Sequence, residues 1–260
     1  QYSPVFGFLG NPNFQSSFIG FSGILVFAYS ISSQFKVAQK VAGLIYLVLT
    51  AYVIKETDSQ QGFLVLLGGI GIVLLILLLN SKFVALKVSF LVISVIGLFL
   101  VVVGSLNKGP LASLLYKPSV TYRGDYWQAG WKMTVQHPFF GVGLDSYGDW
   151  YRRLRDDQAL INPGPNVITN AAHNVVLDQL AYGGWPMFIA YLAIITLVLI
   201  AIIKVTLRSK EFNFTFIGLA VAWICYQVQS VISINQIGLA IWGWILGGLL
   251  YAYSRNYSFQ

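Results

Sequence analysis

Apolar residues gather along the chain into runs at positions 14–32, 37–54, 63–79, 83–103, 186–203, 214–232 and 237–253, separated by short polar joints. Each run approaches the roughly 20 residues a helix needs to cross the hydrocarbon core of a bilayer. The pattern predicts an all-α fold: a polytopic transmembrane helical bundle with about seven spans. Gly68, Gly69 and Gly71, and Gly243, Gly247 and Gly248, suit close helix–helix approach in lipid. Tyr46, Thr50 and Tyr52 dilute the run at 37–54, which also reads as an interfacial helix.

Residues 104–173 break the pattern. This stretch carries Lys108, Lys117, Arg123, Lys132, Arg152, Arg153 and Arg155 against Asp125, Asp145, Asp149, Asp156 and Asp157, and it holds both histidines, His137 and His173. A connection of this length inside a compact protein is usually functional. Trp127, Trp131 and Val135 recur at helical spacing and predict a helix over 125–136, stopped by Pro138 and lying along the membrane surface. Gly141-Val142-Gly143 predicts a tight turn, 147–155 a second short helix, and 162–165 an irregular segment. From His173 onward Val176, Leu177 and Leu180 share one helical face, until Gly183-Gly184-Trp185-Pro186 interrupts it. Proline suits the first turn of a new helix, so a short helix over 173–182, a bend and then the span are expected.

Composition excludes a soluble globular domain. The chain is 57% hydrophobic and 10% charged, with a mean hydropathy of +0.70, whereas soluble domains run near a quarter charged. Surface-to-volume scaling would leave too much of this apolar surface in water. The net charge of +7 is explained by where the cations fall. Lys36 and Lys40, Lys82 and Lys87, then Lys204, Arg208 and Lys210, and finally Arg255, occupy every second connection, which is the positive-inside signature. Those connections are assigned to the cytoplasm. The N-terminus, the turn at 55–62 and the 104–173 loop then face outward. The excess reports topology and gives no reason to expect a nucleic-acid partner. Cys225, the single cysteine, lies inside a span, so no disulfide framework exists. Residue 1 is glutamine and no cleavable signal pattern precedes the first span. The expectation is one membrane domain over 1–260, the C-terminal part of a longer chain with further helices upstream.

Several short motifs carry a resemblance. Arg123-Gly124-Asp125-Tyr126-Trp127 is followed by Trp131-Lys132-Met133 and His137-Pro138-Phe139-Phe140-Gly141-Val142-Gly143. Then comes His173-Asn174 with Leu177, Leu180 and Gly184; Gly10-Asn11-Pro12-Asn13 precedes the first span. In this order, and on one membrane face, they resemble the O-antigen ligase and O-antigen polymerase family of bacterial polysaccharide assembly, over nearly the whole chain. Asp58-Ser59-Gln60-Gln61-Gly62 stands where that family usually has Ser-Arg-Gly, with Lys55 the only nearby cation; Tyr182 stands where an acidic residue is common, and Met187 where a third glycine is frequent.

The resemblance implies a metal-independent membrane glycosyltransferase that uses no cofactor. It implies transfer of a glycan from an undecaprenyl-diphosphate carrier to a hydroxyl of a glycan, lipid or protein acceptor, at the outer face of the cytoplasmic (inner) membrane of a bacterium. Such a transfer needs a cation to hold the departing diphosphate and a base near the attacking hydroxyl. Arginine's planar fork suits phosphate, and a histidine suits proton abstraction near neutral pH. Arg123 and His173 are the catalytic candidates. Each has a plainer reading: Arg123 as a side chain reaching lipid phosphates, His173 as a helix cap. Asn174 joins them by its place beside His173. Arg152, Arg153 and Arg155 either grip the carrier or form a solvated face balanced by Asp156 and Asp157. Asp178 either orients an acceptor or pairs with Arg123. Lys55 is the candidate substitute for the missing arginine, and His137, locked beside a proline, reads as a turn residue.

A transporter or channel is the rival class. It would place a charge or a broken helix near the middle of a span. The span centres hold no charge, and Gln227 and Gln229 are the only polar pair deep in one. A non-catalytic relative is the third reading.

Overall fold

The computed structural model describes residues 4–5, 7–79, 81–209 and 213–256, and among these every regular element is helical. In chain order the α-helices are α1 (Pro12–Ser30), α2 (Val37–Glu56), α3 (Gln60–Leu79), α4 (Val84–Ser105), α5 (Ala112–Leu115), α6 (Pro118–Gln136), α7 (Tyr147–Leu154), α8 (Asp157–Ile161), α9 (Val175–Arg208), α10 (Phe214–Ser230) and α11 (Ile237–Asn256). Lys210, one of the cations used to assign topology, lies outside the described residues.

All seven apolar runs are helices. Five of them, α2, α3, α4, α9 and α11, are long and apolar enough to cross a membrane. The polytopic helical bundle is thus present, and the two runs outside this set differ for separate reasons. α10 is apolar but has 17 residues. α1 opens with Asn13, Gln15, Ser16 and Ser17, which lower its apolarity. The run at 37–54, read from the sequence as the most interfacial, is among the five.

The chain divides into two compact units. The first comprises Gln1–Ser94, Leu197–Gln229 and Gln236–Gln260. Its α1 is started by Asn11, whose Oδ1 accepts the Asn13 N–H at 2.8 Å, with Pro12 at the first helical position. α1 packs on α3 through small residues: a Cβ on Gly20 would press on Val65, and Gly69 lies directly over the fully buried Ile24. Across this unit, Trp223 donates its indole N–H to the Gly243 carbonyl at 3.1 Å, and Gly247 leaves room for the same indole. Of the six glycines picked out by sequence, Gly69, Gly243 and Gly247 are at helix contacts, whereas Gly68, Gly71 and Gly248 meet nothing within 4 Å. α2 buries only Gly43, Thr50 and Ile54 and exposes Leu44, Ile45, Val48 and Leu49. Such a helix is stable only where its surroundings are themselves apolar.

The second unit comprises Val95–Thr196 and Ser230–Asn235, and holds α5 to α8 and the first part of α9. Its core is aromatic: Tyr126, Ala129 and Met133 of α6 close on Tyr147 and Tyr151 of α7, with Ala172 and Ala181. Tyr126 and Tyr151 meet edge to face at 5.5 Å. The Tyr147 hydroxyl donates to the Tyr126 carbonyl at 2.5 Å. The opposite face of α6 exposes Trp127, Trp131 and Val135.

Three boundaries differ from the sequence expectation. α6 starts at Pro118 rather than 125, a full two turns earlier, because proline at the first helical position needs no amide partner. α7 ends at Leu154, one residue before the expected end. His173 does not open the next helix. α9 begins at Val175, and His173 lies before it with φ of 57°. The bend falls where expected: Gly184 has φ 65° and ψ −164°, dividing α9 into a short leading segment and the long span that starts at Pro186.

Candidate active site

Arg123, Tyr126 and His173 come together within the second unit. α6 carries the first two nearly one turn apart, so both project from one side of that helix. The His173 ring lies 5.7 Å from the Tyr126 ring at an interplanar angle of 31°. Burial, and then the neighbouring Arg123 guanidinium, lower the His173 imidazole to about 4. His173 is therefore neutral at pH 7, with one ring nitrogen able to accept a proton. Burial also lowers Arg123, with Tyr126 acting in the other direction. Among the described residues no carboxylate pairs with Arg123. An unpaired, half-buried guanidinium is costly unless an anion meets it.

Asn174 caps α9. Its Oδ1 accepts the Leu177 N–H at 3.2 Å and its carbonyl accepts the Asp178 N–H at 2.8 Å. Asp178 is 1% exposed. Its Oδ1 accepts the Ala172 N–H at 2.7 Å and its Oδ2 has no partner. Burial pushes the carboxyl up to about 7. Asp178 lies in the leading segment of α9, ahead of the kink and outside the span. The expected partner of this carboxylate, Arg123, is replaced by a backbone amide.

The three arginines of the loop do separate things. Arg152 pairs with Asp149 at 2.9 Å on an exposed surface, a contact of small energetic weight. Arg153 lies over the Trp150 ring at 5.3 Å. Arg155 donates to the carbonyls of Pro165 (3.0 Å) and Val167 (3.2 Å) and stacks on Tyr151, holding the irregular segment in place. Of their expected counter-charges, Asp156 pairs with Lys132 instead, in a short contact. Lys55 is an exposed residue in the last turn of α2 and belongs to the first unit. Near it, Ser59 donates to Asn13 Oδ1 at 2.7 Å, joining the Gly-Asn-Pro-Asn run to the turn before α3.

His137 ends α6, donating its amide to the Met133 carbonyl at 2.9 Å, and its ring meets Trp150 edge to face at 4.6 Å. The glycine turn that follows is laced to the kink of α9. Val142 donates to Ala181 (2.8 Å), Gly143 to Tyr182 (3.0 Å), and Trp185 back to Pro138 (2.8 Å). Sequence reasoning passed over Tyr126, Tyr147 and Tyr151 as parts of the site. The spacing of Tyr126 from Arg123, about one helical turn, and the place of Tyr147 and Tyr151 in a short polar helix were the available signal.

The second unit thus gathers an arginine without a carboxylate partner, a histidine and a tyrosine in one cluster of a helical membrane protein. Residues 45–192, more than half of the chain, match the family described as O-Antigen ligase, and the chain belongs to that family. Membership gives it the role of a membrane glycan ligase or polymerase, a multi-pass bacterial membrane protein working with a lipid-linked glycan donor and a glycan acceptor. The matched residues include Arg123, His137 and His173; the Gly10-Asn11-Pro12-Asn13 run lies before them. No curated protein matches the chain.

Proposed function

We propose that this protein moves a glycan from an undecaprenyl-diphosphate carrier onto an acceptor hydroxyl at the outer face of the bacterial cytoplasmic membrane, as a metal-independent glycosyltransferase. The acceptor hydroxyl attacks the anomeric carbon. A new carbon–oxygen bond forms as the bond to the diphosphate breaks, and undecaprenyl diphosphate leaves. Arg123 grips the diphosphate and stabilises the charge that develops on it. His173, neutral at working pH, takes the proton of the attacking hydroxyl. The observation that carries this reading is the half-buried Arg123 without a counter-ion beside the neutral imidazole of His173.

The pairing also orders the steps. Arg123 is the second cause of the low His173 value. A diphosphate seated on the guanidinium offsets that charge, so donor binding raises the basicity of the imidazole before the acceptor reacts. Asn174 holds the start of α9 beside this site, and the exposed Arg152 and Arg153 are available to the carrier's charges. Arg155, with two carbonyls to hold, supports the site through the loop it fixes.

The test is accumulation of undecaprenyl-linked glycan in cells carrying variants at matched expression. His173→Ala abolishes transfer. Arg123→Lys also fails, because an ammonium keeps the charge but loses the two-pronged grip. His137→Ala retains more activity than either. Normal turnover by the His173 variant removes the base and with it this reading.

A further inference from the structure

His173 is held on both sides by one residue. Asp178 donates its backbone N–H to the Asn174 carbonyl at 2.8 Å, and its Oδ1 accepts the Ala172 N–H at 2.7 Å. The residues just before and just after His173 are thus tied to the first turn of α9. Between them His173 adopts φ of 57°, the left-handed region that few non-glycine residues occupy, histidine being among those enriched there. Such a conformation persists only when its surroundings over-determine it. The Asn174 cap fixes where α9 starts but makes no bond to the chain ahead of His173. The Tyr126 ring meets the imidazole without constraining the backbone.

We propose that Asp178 is the positioning residue of the site, its buried carboxyl holding the Ala172 amide so that His173 keeps its left-handed backbone and its ring stays against Tyr126 and beside Arg123. Its consequence for catalysis rests on His173 being the base; the pinning itself does not.

The surroundings of the carboxyl fit an acceptor rather than a charge. It is buried, and the hydroxyls of Tyr147 and Tyr182, the titratable groups that sense it, are themselves pushed up by burial and by its charge. An uncharged carboxyl keeps its Oδ1 acceptor. Asparagine therefore conserves the contact, whereas leucine removes it. Around the imidazole the charged and titratable groups are Arg123 and Tyr126, both on α6.

The experiment is a histidine NMR titration of the full chain in detergent. The chain has two histidines, and the His173 resonance is the one lost in His173→Gln. In the unaltered protein burial and the Arg123 charge should hold its midpoint low, at about 4. In Asp178→Leu the ring swings free, and the midpoint rises toward the ordinary value of roughly 6.5. In Asp178→Asn it stays low. A leucine variant that titrates like the unaltered protein overturns the proposal, and so does an asparagine variant that behaves like leucine. Because Asp178→Leu can fail to fold, exchange of the Ala172 amide in the unaltered protein is a second test: protection is expected, and exchange at the free-peptide rate overturns the pinning. With a purified lipid-linked glycan, the leucine variant loses about 10²-fold in kcat with KM unchanged, the size of loss a small misplacement brings. If the titration shifts as stated while kcat holds, the pinning stands and the assignment of His173 as base falls.

Discussion

The Trp185 amide donates to the Pro138 carbonyl at 2.8 Å, closing the glycine turn onto the point where α9 bends. Both partners lie beside backbone that only glycine fits well. Gly184 has φ 65° and ψ −164°, in a region essentially restricted to glycine, and a Cβ there would meet the backbone of Pro138 and Phe139. Gly141, at φ 61°, would drive a Cβ into the backbone of residues 181–183.

Gly184→Ala therefore costs about 1–3 kcal/mol from backbone strain alone, and the contact with Pro138 adds to it. Gly141→Ala has a similar effect. Gly143→Ala meets only the Ser146 hydroxyl at 3.3 Å, so its loss comes from φ and is the smaller. Thermal melts of the three variants in detergent give the order, and a Gly184 variant melting with the unaltered protein refutes the stitched-turn account.

Those glycines show what the sequence could and could not reveal. Gly183-Gly184-Trp185-Pro186 announced a bend, and Gly141-Val142-Gly143 a turn, because both are local properties of chain stiffness. That the two are hydrogen-bonded to each other is a long-range fact no periodicity encodes. The spans were legible because a bilayer demands long apolar runs. α1 is one of the less apolar of these runs, and its serines are taken up inside the unit: Ser16 and Ser17 are fully buried, each bonded to the Asn13 carbonyl. Arg123 and His173 were candidates on residue chemistry and family resemblance. Tyr126, which joins them, has no motif of its own.

Two buried groups give the site opposing pH dependences. His173 is lowered from 6.5 to about 4, so the stability linked to it is present above 6.5 and is lost as pH falls toward 4. Asp178 is raised from 3.8 to about 7, so its contribution is present below 3.8 and is lost as pH rises through 7. Across pH 4.5–6.5 the two slopes oppose each other. Asp178→Asn should leave the histidine's dependence, with melting temperature rising with pH; His173→Ala should leave the carboxyl's, with melting temperature falling. The same slope in both variants contradicts the two assignments.

The outward placement of the site is checked by cysteine labelling in whole cells. Cys225 is buried and gives little background. A cysteine at Ser119, exposed at the start of α6, should react with an impermeant maleimide. One at Ser209, beyond α9 among the basic residues, should react only after the membrane is opened. The reverse pattern places Arg123 and His173 in the cytoplasm and removes the outer-face donor.

The arginines at 152, 153 and 155 differ in what they hold, and that difference sets the last prediction. Arg152 makes a single exposed pair with Asp149, so Arg152→Ala should change stability by less than ~0.5 kcal/mol. Arg155 ties α7 to the carbonyls of Pro165 and Val167 and stacks on the fully buried Tyr151. Removing it leaves two carbonyls without their donors and bares one edge of the ring. Arg155→Ala should cost about 1–3 kcal/mol and speed amide exchange at Gly164, Asn166 and Val167, with little change at Ala129 or Met133 in the core. Arg155→Lys should recover only part of the loss, since one ammonium on a flexible stem replaces a planar fork that reaches both carbonyls. If Arg155→Ala melts with the unaltered protein while Arg152→Ala does not, Arg152 is the side chain that supports the loop, and Arg155 is free to meet the carrier.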